Sequence, residues 1–276
     1  MIPEGHLRLA KHQALGNDFL VLLDPPAGVD LPALARAACD RHYGIGSDGL
    51  VVGTTGASAD LTMTFHNPDG SKAEMSGNGV RCLVQAAVLA GLAPEGPVTV
   101  ATDAGLRRVE IQAAGDTAHE VSVDMGPVTI GGDADDWRRE GVAHAGWASV
   151  GNPHIVLFSP DPDRAPSVED LGREANEVVE GGVNVEVVTP RDEPDHLDMR
   201  VYERGAGVTL ACGTGACASA ALAHHWGVAP AAVTIHMPGG AAQVAIGDTV
   251  ILSSPTIAVG RIDFRWPLPE EGMPWR

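Results

Sequence analysis

Cys212 stands in Ala211-Cys212-Gly213-Thr214-Gly215-Ala216-Cys217, directly before an apolar stretch with helical character. A residue there takes the N-cap position. Free N–H groups and the positive end of the helix dipole favour an anion at that point. The same features lower the pKa of a thiol toward neutrality and can receive a substrate carboxylate. The adjoining glycines admit a ligand close to the backbone. Ser76-Gly77-Asn78-Gly79 has the same form with a hydroxyl in place of the thiol. Taken alone, Ser76 is a good N-cap. Cys82 and Cys217 fall inside the apolar stretches and read as core, and Cys39 has no reactive setting. No CxxC pair and no Cys/His spacing suited to zinc occurs, so no metal is expected.

These two turns belong to a long internal repeat. Gly16-Asn17-Asp18-Phe19 is answered by Gly151-Asn152-Pro153-His154, the Ser76 turn by the Cys212 turn, and Val98-Thr99-Val100 by Val233-Thr234-Ile235, each at an offset of about 135 residues. The elements correspond as well. Strands are expected at 19–23 and 154–158, then helices at 31–39 and 168–175. Strand pairs follow at 50–53 with 61–65 and at 184–188 with 197–202. A Gly-rich turn then opens a long helix in each half, at 77–89 and 213–225. The expected fold is α+β: two similar, pseudo-symmetric domains, each a curled, mostly antiparallel sheet around a central helix. Residues 1–126 with a C-terminal tail, 262–276, form the first domain, and 127–261 the second. Two such domains packed face to face share a cleft, which places Ser76 and Cys212 on opposite sides of one ligand.

Composition narrows the function. The formal net charge is −18, and lysine occurs only at Lys11 and Lys72. So acidic a surface repels phosphate backbones and anionic lipid, which argues against nucleic-acid and membrane partners. A carboxylate-bearing small molecule must then be held by local donors. The start, MIPEGHLRLA, lacks a basic segment followed by an apolar run, and no stretch approaches a membrane span. A cytoplasmic protein with four reduced thiols is expected.

At Leu15-Gly16-Asn17-Asp18-Phe19, Arg41-His42-Tyr43-Gly44-Ile45-Gly46-Ser47-Asp48-Gly49, Asn67-Pro68-Asp69-Gly70-Ser71, Ser76 to Cys82 after Glu74-Met75, Gly151 to His154, Asn184-Val185-Glu186, Glu203 to Gly207 and Ala211 to Cys217, the sequence resembles the diaminopimelate epimerase family over nearly its whole length. That resemblance implies a homodimeric enzyme of lysine biosynthesis. It interconverts LL- and meso-2,6-diaminopimelate with no cofactor, by proton transfer between two cysteines facing each other across the substrate α-carbon. It assigns one of those positions to Cys212 and the other to Ser76, where the family has cysteine. It further implies that His154 and Glu203 tune the acid/base groups. By the same resemblance Asn17, Asn67, Asn184 and Arg204 hold the distal amino-acid end, and Asn152 and Glu203 the ammonium groups. Gly77, Asn78, Gly213 and Thr214 would bind the reacting carboxylate.

Ser76 leaves three outcomes open. Serine, or a water it positions, relays the second proton; a hydroxyl donates but is a poor base. Alternatively the protein binds substrate and is nearly inactive, or it is a racemase or dehydratase of the same fold acting on another amino acid. The distal positions, Arg204 among them, favour a ligand with two amino-acid ends.

Overall fold

The computed structural model describes residues 4–56, 58–73 and 76–267. Glu74 and Met75 before the Ser76 turn, and 268–276 of the expected C-terminal tail, lie outside the described residues. The chain forms two compact units. The first takes the described residues of Met1–Ala14, Asp18–His119 and Thr256–Arg276, and the second takes Leu15–Asn17 and Glu120–Pro255.

In chain order the elements of the first half are β1 (His6–Ala14), β2 (Asn17–Leu23), α1 (Leu31–Cys39), β3 (Gly49–Thr55), β4 (Leu61–His66), β5 (Lys72–Ala73), α2 (Gly77–Leu89), β6 (Pro97–Thr102), β7 (Gly105–Ala114) and β8 (Ala118–Asp124). Those of the second are β9 (Thr129–Asp133), β10 (His144–Ser149), β11 (Pro153–Phe158), α3 (Val168–Val178), β12 (Asn184–Pro190), β13 (His196–Glu203), β14 (Gly207–Thr209), α4 (Gly213–His225), β15 (Ala232–Met237), β16 (Gly240–Ile246) and β17 (Val250–Arg265). Strands dominate and helices are few, an α+β arrangement.

The repeat is a repeat of topology. In the first unit β2 runs parallel to β3, β3 antiparallel to β4, β4 antiparallel to β5 and parallel to β6, and β6 antiparallel to β7. In the second, β11, β12, β13, β14, β15 and β16 pair in the same sequence of senses. Registers match too, with Phe19 opposite Gly49 and His154 opposite Asn184. Each parallel pair encloses a helix, as a crossover requires.

Two kinds of helix result. α1 and α3 are amphipathic. Asp30 caps α1 by accepting the Ala33 amide at 3.0 Å, and Ser167 caps α3 by accepting that of Asp170 at 3.2 Å. Leu34, Ala35 and Ala38 of α1 pack on Leu9, Leu20 and Leu50, and Leu171 and Ala175 of α3 pack on Ile155, Leu157 and Val185. Each fully buried leucine contributes about 1.5–3 kcal/mol. By contrast α2 is buried from Gly77 to Ala87, and α4 from Gly215 to Ala223. A helix apolar on every side belongs inside its sheet. Alanine and glycine make α4 slim, so strands approach it closely.

The sixteen-residue strand β17 is not anticipated by the sequence reading. Its first part pairs with β16, and from Ile257 to Arg265 it pairs with β1. The division between units therefore falls inside one continuous strand.

Candidate active site

Both long helices open on the residues singled out by type and spacing. Ser76 is extended, at φ −128°, and its Oγ accepts the Gly79 amide at 3.0 Å. Cys212 is extended at φ −134°, and its Sγ accepts the Gly215 amide at 3.4 Å. The two turns use one capping geometry with different atoms.

In the second unit the structure gathers Cys212, Gly213, Thr214, Asn152, His154, Asn184, Glu203 and Arg204. The Thr214 hydroxyl lies 3.4 Å from the Cys212 sulfur. Asn152 donates from Nδ2 to Thr214 Oγ1 at 3.3 Å, and its Oδ1 lies 3.1 Å from His154 Nε2. Asn184 donates to the Pro153 carbonyl at 3.1 Å and accepts the Arg204 amide at 2.9 Å. This fixes the end of β13 against β12. The Arg204 guanidinium is exposed and donates to the Gly181 carbonyl at 3.2 Å. Asn17 also belongs to this unit, although β2 runs into the other.

The first unit holds Ser76, Gly77, Asn78 and Asn67. Asn78 is buried and accepts from Arg81 at 2.5 Å. Arg81, fully buried itself, also donates to the Gly77 carbonyl at 3.1 Å. Asn67 sits in the β4–β5 turn, donating to Ser71 Oγ at 2.9 Å.

Electrostatics correct one expectation. The helix N-terminus was expected to bring the Cys212 thiol toward neutrality; in the structure its pKa is raised well above the ordinary thiol value. Burial is the largest cause, and the Glu203 and Glu186 carboxylates add to it. The Thr214 hydroxyl and Gly215 amide act the other way without prevailing. Desolvation of a thiolate between two carboxylates outweighs one helix end. Glu203 is raised for the same first reason, burial, against hydrogen bonds from Thr209 and Cys212 that lower it. Thr209 donates to Glu203 Oε1 at 2.5 Å. The thiol is thus held protonated, beside a carboxylate that burial also shifts upward and that accepts from it. Burial pushes Cys39 to about 11 and Cys82 to about 12, which agrees with inert core thiols.

Two functional residues escape the sequence reading. Thr209 holds Glu203, and Glu186 lies behind the whole group, with Oε1 2.8 Å from His154 Nδ1 and neither side chain exposed. The available signal for Glu186 was a carboxylate inside the apolar run Val185–Val188. Among the described residues no group of three or more potential ligands could hold a metal ion, and no helix is long and apolar enough to cross a membrane.

Solved structures with this architecture include a PhzF-family phenazine biosynthesis protein of Bacillus anthracis, with a TM-score of 0.70 at 13% identity, covering 94% of this chain and 98% of that one. A hydroxyproline epimerase of Agrobacterium vitis, solved with trans-4-hydroxy-L-proline, gives 0.69 at 19%, covering 98% and 95%. The diaminopimelate epimerase family model matches residues 9–131 and 146–251. A diaminopimelate epimerase of Desulfitobacterium hafniense is 38% identical over 262 residues, 88% of this chain and 92% of the relative. One from Streptomyces coelicolor is 39% identical over 279 residues, 91% and 93%. Fold and family matches together place the protein among the α+β isomerases built from a duplicated unit. Within that class, the chain belongs to the diaminopimelate epimerase family.

Proposed function

We propose that the protein epimerises LL-2,6-diaminopimelate to the meso form, with Cys212 exchanging the α-proton on one face and Ser76 serving the other. The observation that carries this is the setting of Cys212. A buried thiol caps α4, with Glu203 placed to take its proton and Thr214 beside the sulfur. The backbone amides of Gly213 and Thr214 at the α4 start, with those of Gly77 and Asn78 at the α2 start, suit the reacting carboxylate. They stabilise the charge that develops as the α-proton leaves. Asn17, Asn67, Asn184 and Arg204 are assigned to the distal amino-acid end, and Asn152 with Glu203 to the ammonium groups.

The chemistry runs as follows. The Cys212 proton passes to the Glu203 carboxylate. The thiolate then takes the α-hydrogen, breaking the C–H bond and leaving its electron pair on the α-carbon. A proton delivered through the Ser76 hydroxyl, or a water it orients, forms the new C–H bond on the opposite face. Glu203 returns its proton to solvent, and solvent replenishes the hydroxyl side. Because a hydroxyl is a poor base and a reluctant proton donor, Ser76 slows inversion in both directions, whereas exchange of the α-hydrogen that faces Cys212 needs only the thiolate. The reading needs no cofactor and no metal, and it includes a cytoplasmic homodimer.

The test is incubation with LL-diaminopimelate in heavy water, following meso product and α-deuterium together. Absence of both in protein that still binds the substrate supports a second reading, favoured by the hydroxyl at Ser76: a binding-competent protein without epimerase activity. Absence of binding as well removes diaminopimelate as the ligand.

A further inference from the structure

Behind Cys212 four polar side chains form one line: Glu186 Oε1 to His154 Nδ1 at 2.8 Å, His154 Nε2 to Asn152 Oδ1 at 3.1 Å, Asn152 Nδ2 to Thr214 Oγ1 at 3.3 Å, and Thr214 Oγ1 to Cys212 Sγ at 3.4 Å. The line has a direction. Asn152 Oδ1 only accepts, so His154 must carry a proton on Nε2. Asn152 Nδ2 donates to Thr214, which leaves the threonine hydroxyl free to donate to the sulfur. With Nε2 protonated, Nδ1 and the Glu186 carboxyl share one further proton. Glu186 Oε2 is buried and has no partner among the described residues, so Oε1 is the carboxyl atom that meets His154.

The opposite direction is chemically complete as well. If the shared proton is lost, Nδ1–H donates to Glu186 and Nε2 becomes an acceptor. Asn152 then turns over, Thr214 donates to it, and the sulfur loses its donor. The Glu186–His154 pair therefore decides whether the line supports a thiolate or a thiol.

Glycine makes room for this pair. A Cβ on Gly215 would lie 2.6 Å from Glu186 Oε1, so the carboxyl reaches beneath the first turn of α4 only because none is there. In the first unit the matching residues are apolar: Phe19 answers His154 and Val51 answers Glu186. There the space beside Gly79 is filled by Val51 Cγ2, 3.3 Å from the position of a Cβ. Phe19 and Val51 are buried. Nothing equivalent to the line stands in those places behind Ser76.

We propose that Glu186 is a positioning residue for Cys212: by sharing a proton with His154 it fixes the Nε2–H form and turns Asn152 and Thr214 to donate toward the sulfur. The groups facing Cys212 are Glu203 from β13, Glu186 from β12, and Thr214 with the Gly215 amide from α4, while His154 from β11 acts on Glu203. No net proton moves along the line; it sets the energy of the thiolate. The proposal rests on the reading of Cys212 as the group that exchanges the α-proton.

Two measurements test it. In ligand-free protein labelled with ¹⁵N-histidine, with His154 assigned by the His154→Asn variant, Nε2 is protonated near neutral pH. Glu186→Leu mixes or removes that state. Glu186→Gln retains it, because the new amide can donate to Nδ1. A bare Nε2 in the unmodified protein, or an unchanged signal in Glu186→Leu, overturns the proposal. The wild-type spectrum decides the point even if Glu186→Leu fails to fold. In α-hydrogen exchange from diaminopimelate, Glu186→Leu loses on the order of 10²–10⁴ in kcat, as a misplaced tautomer does, with KM little changed. Glu186→Gln stays within about tenfold of wild type by the same reasoning. Equal impairment of both variants, or none in Glu186→Leu, counts against it. If the unmodified protein exchanges neither stereoisomer, the epimerase reading fails, and the ring-nitrogen spectrum still decides the role of Glu186.

Discussion

Ser76 Oγ accepts the Gly79 amide at 3.0 Å, in the place that a sulfur fills in the matching turn of the second unit. A capping hydroxyl keeps the helix start formed and supplies a donor, but it gives up its proton reluctantly. Ser76→Cys restores a thiol pair and raises epimerisation by roughly 10²-fold or more. With serine present, the α-hydrogen of the stereoisomer facing Cys212 exchanges with solvent faster than the other isomer forms, and with cysteine the two rates converge. If Ser76→Cys leaves the epimerisation rate where it was, serine is no handicap and another group is the second acid/base.

Arg204 is exposed, its amide held by Asn184 and its guanidinium turned to the Gly181 carbonyl. A planar fork there suits the distal carboxylate. One charged hydrogen bond contributes about 1.5–3 kcal/mol. Arg204→Ala should therefore weaken diaminopimelate binding by on the order of 10- to 100-fold, read by calorimetry. Unchanged affinity would mean that the ligand has no second carboxylate at this position.

Glu203 gives a pH-dependent prediction. Its folded pKa is raised, first by burial, so the folded state holds its proton at pH values where the unfolded state has released it. Its contribution to stability is complete below the unfolded value of about 4.3. It is lost as pH rises through the folded value. Glu203→Gln removes this loss while still accepting from Thr209. Its thermal midpoint should exceed wild type by a margin that widens from pH 4 to pH 8, while epimerisation falls by about 10²-fold or more. Loss of this carboxylate also lowers the Cys212 pKa, so alkylation of Cys212 at a given pH speeds up. A margin that narrows with pH contradicts the assignment.

The two helix starts differ in their tolerance of a methyl group. Alanine at a helical glycine normally gains about 1 kcal/mol. At Gly215 the new Cβ meets Glu186 at 2.6 Å, whereas at Gly79 its neighbours are Ser76 Cβ at 3.1 Å and Val51 at 3.3 Å. Gly215→Ala should cost about 1–3 kcal/mol as an overpacked site, and Gly79→Ala should lie within about 1 kcal/mol of neutral. Urea midpoints of the two variants decide it. A Gly215→Ala protein as stable as Gly79→Ala would mean that Glu186 is not held beneath α4.

Much of this protein is legible in the sequence because its signals are local. The bounds of α1, α2 and α4 follow from Asp30, Ser76 and Cys212 at their caps and from the apolar spacing behind them. The offset between halves carries through into strand register, since a repeated pattern of buried positions fixes pairing to the residue. Only the tertiary structure decided the rest. The return of β17 to β1 joins residues some 250 apart, and no neighbouring residue announces such a partner. The Cys212 pKa is a sum over groups from two strands and a helix. The cap at Gly215 is visible in the sequence, whereas the burial and the carboxylates of Glu203 and Glu186 that outweigh it come from chain folded around the site. Glu186 lay inside a motif already noted for its neighbours. Its role emerged once β11 and β12 lay side by side and brought its carboxylate to His154.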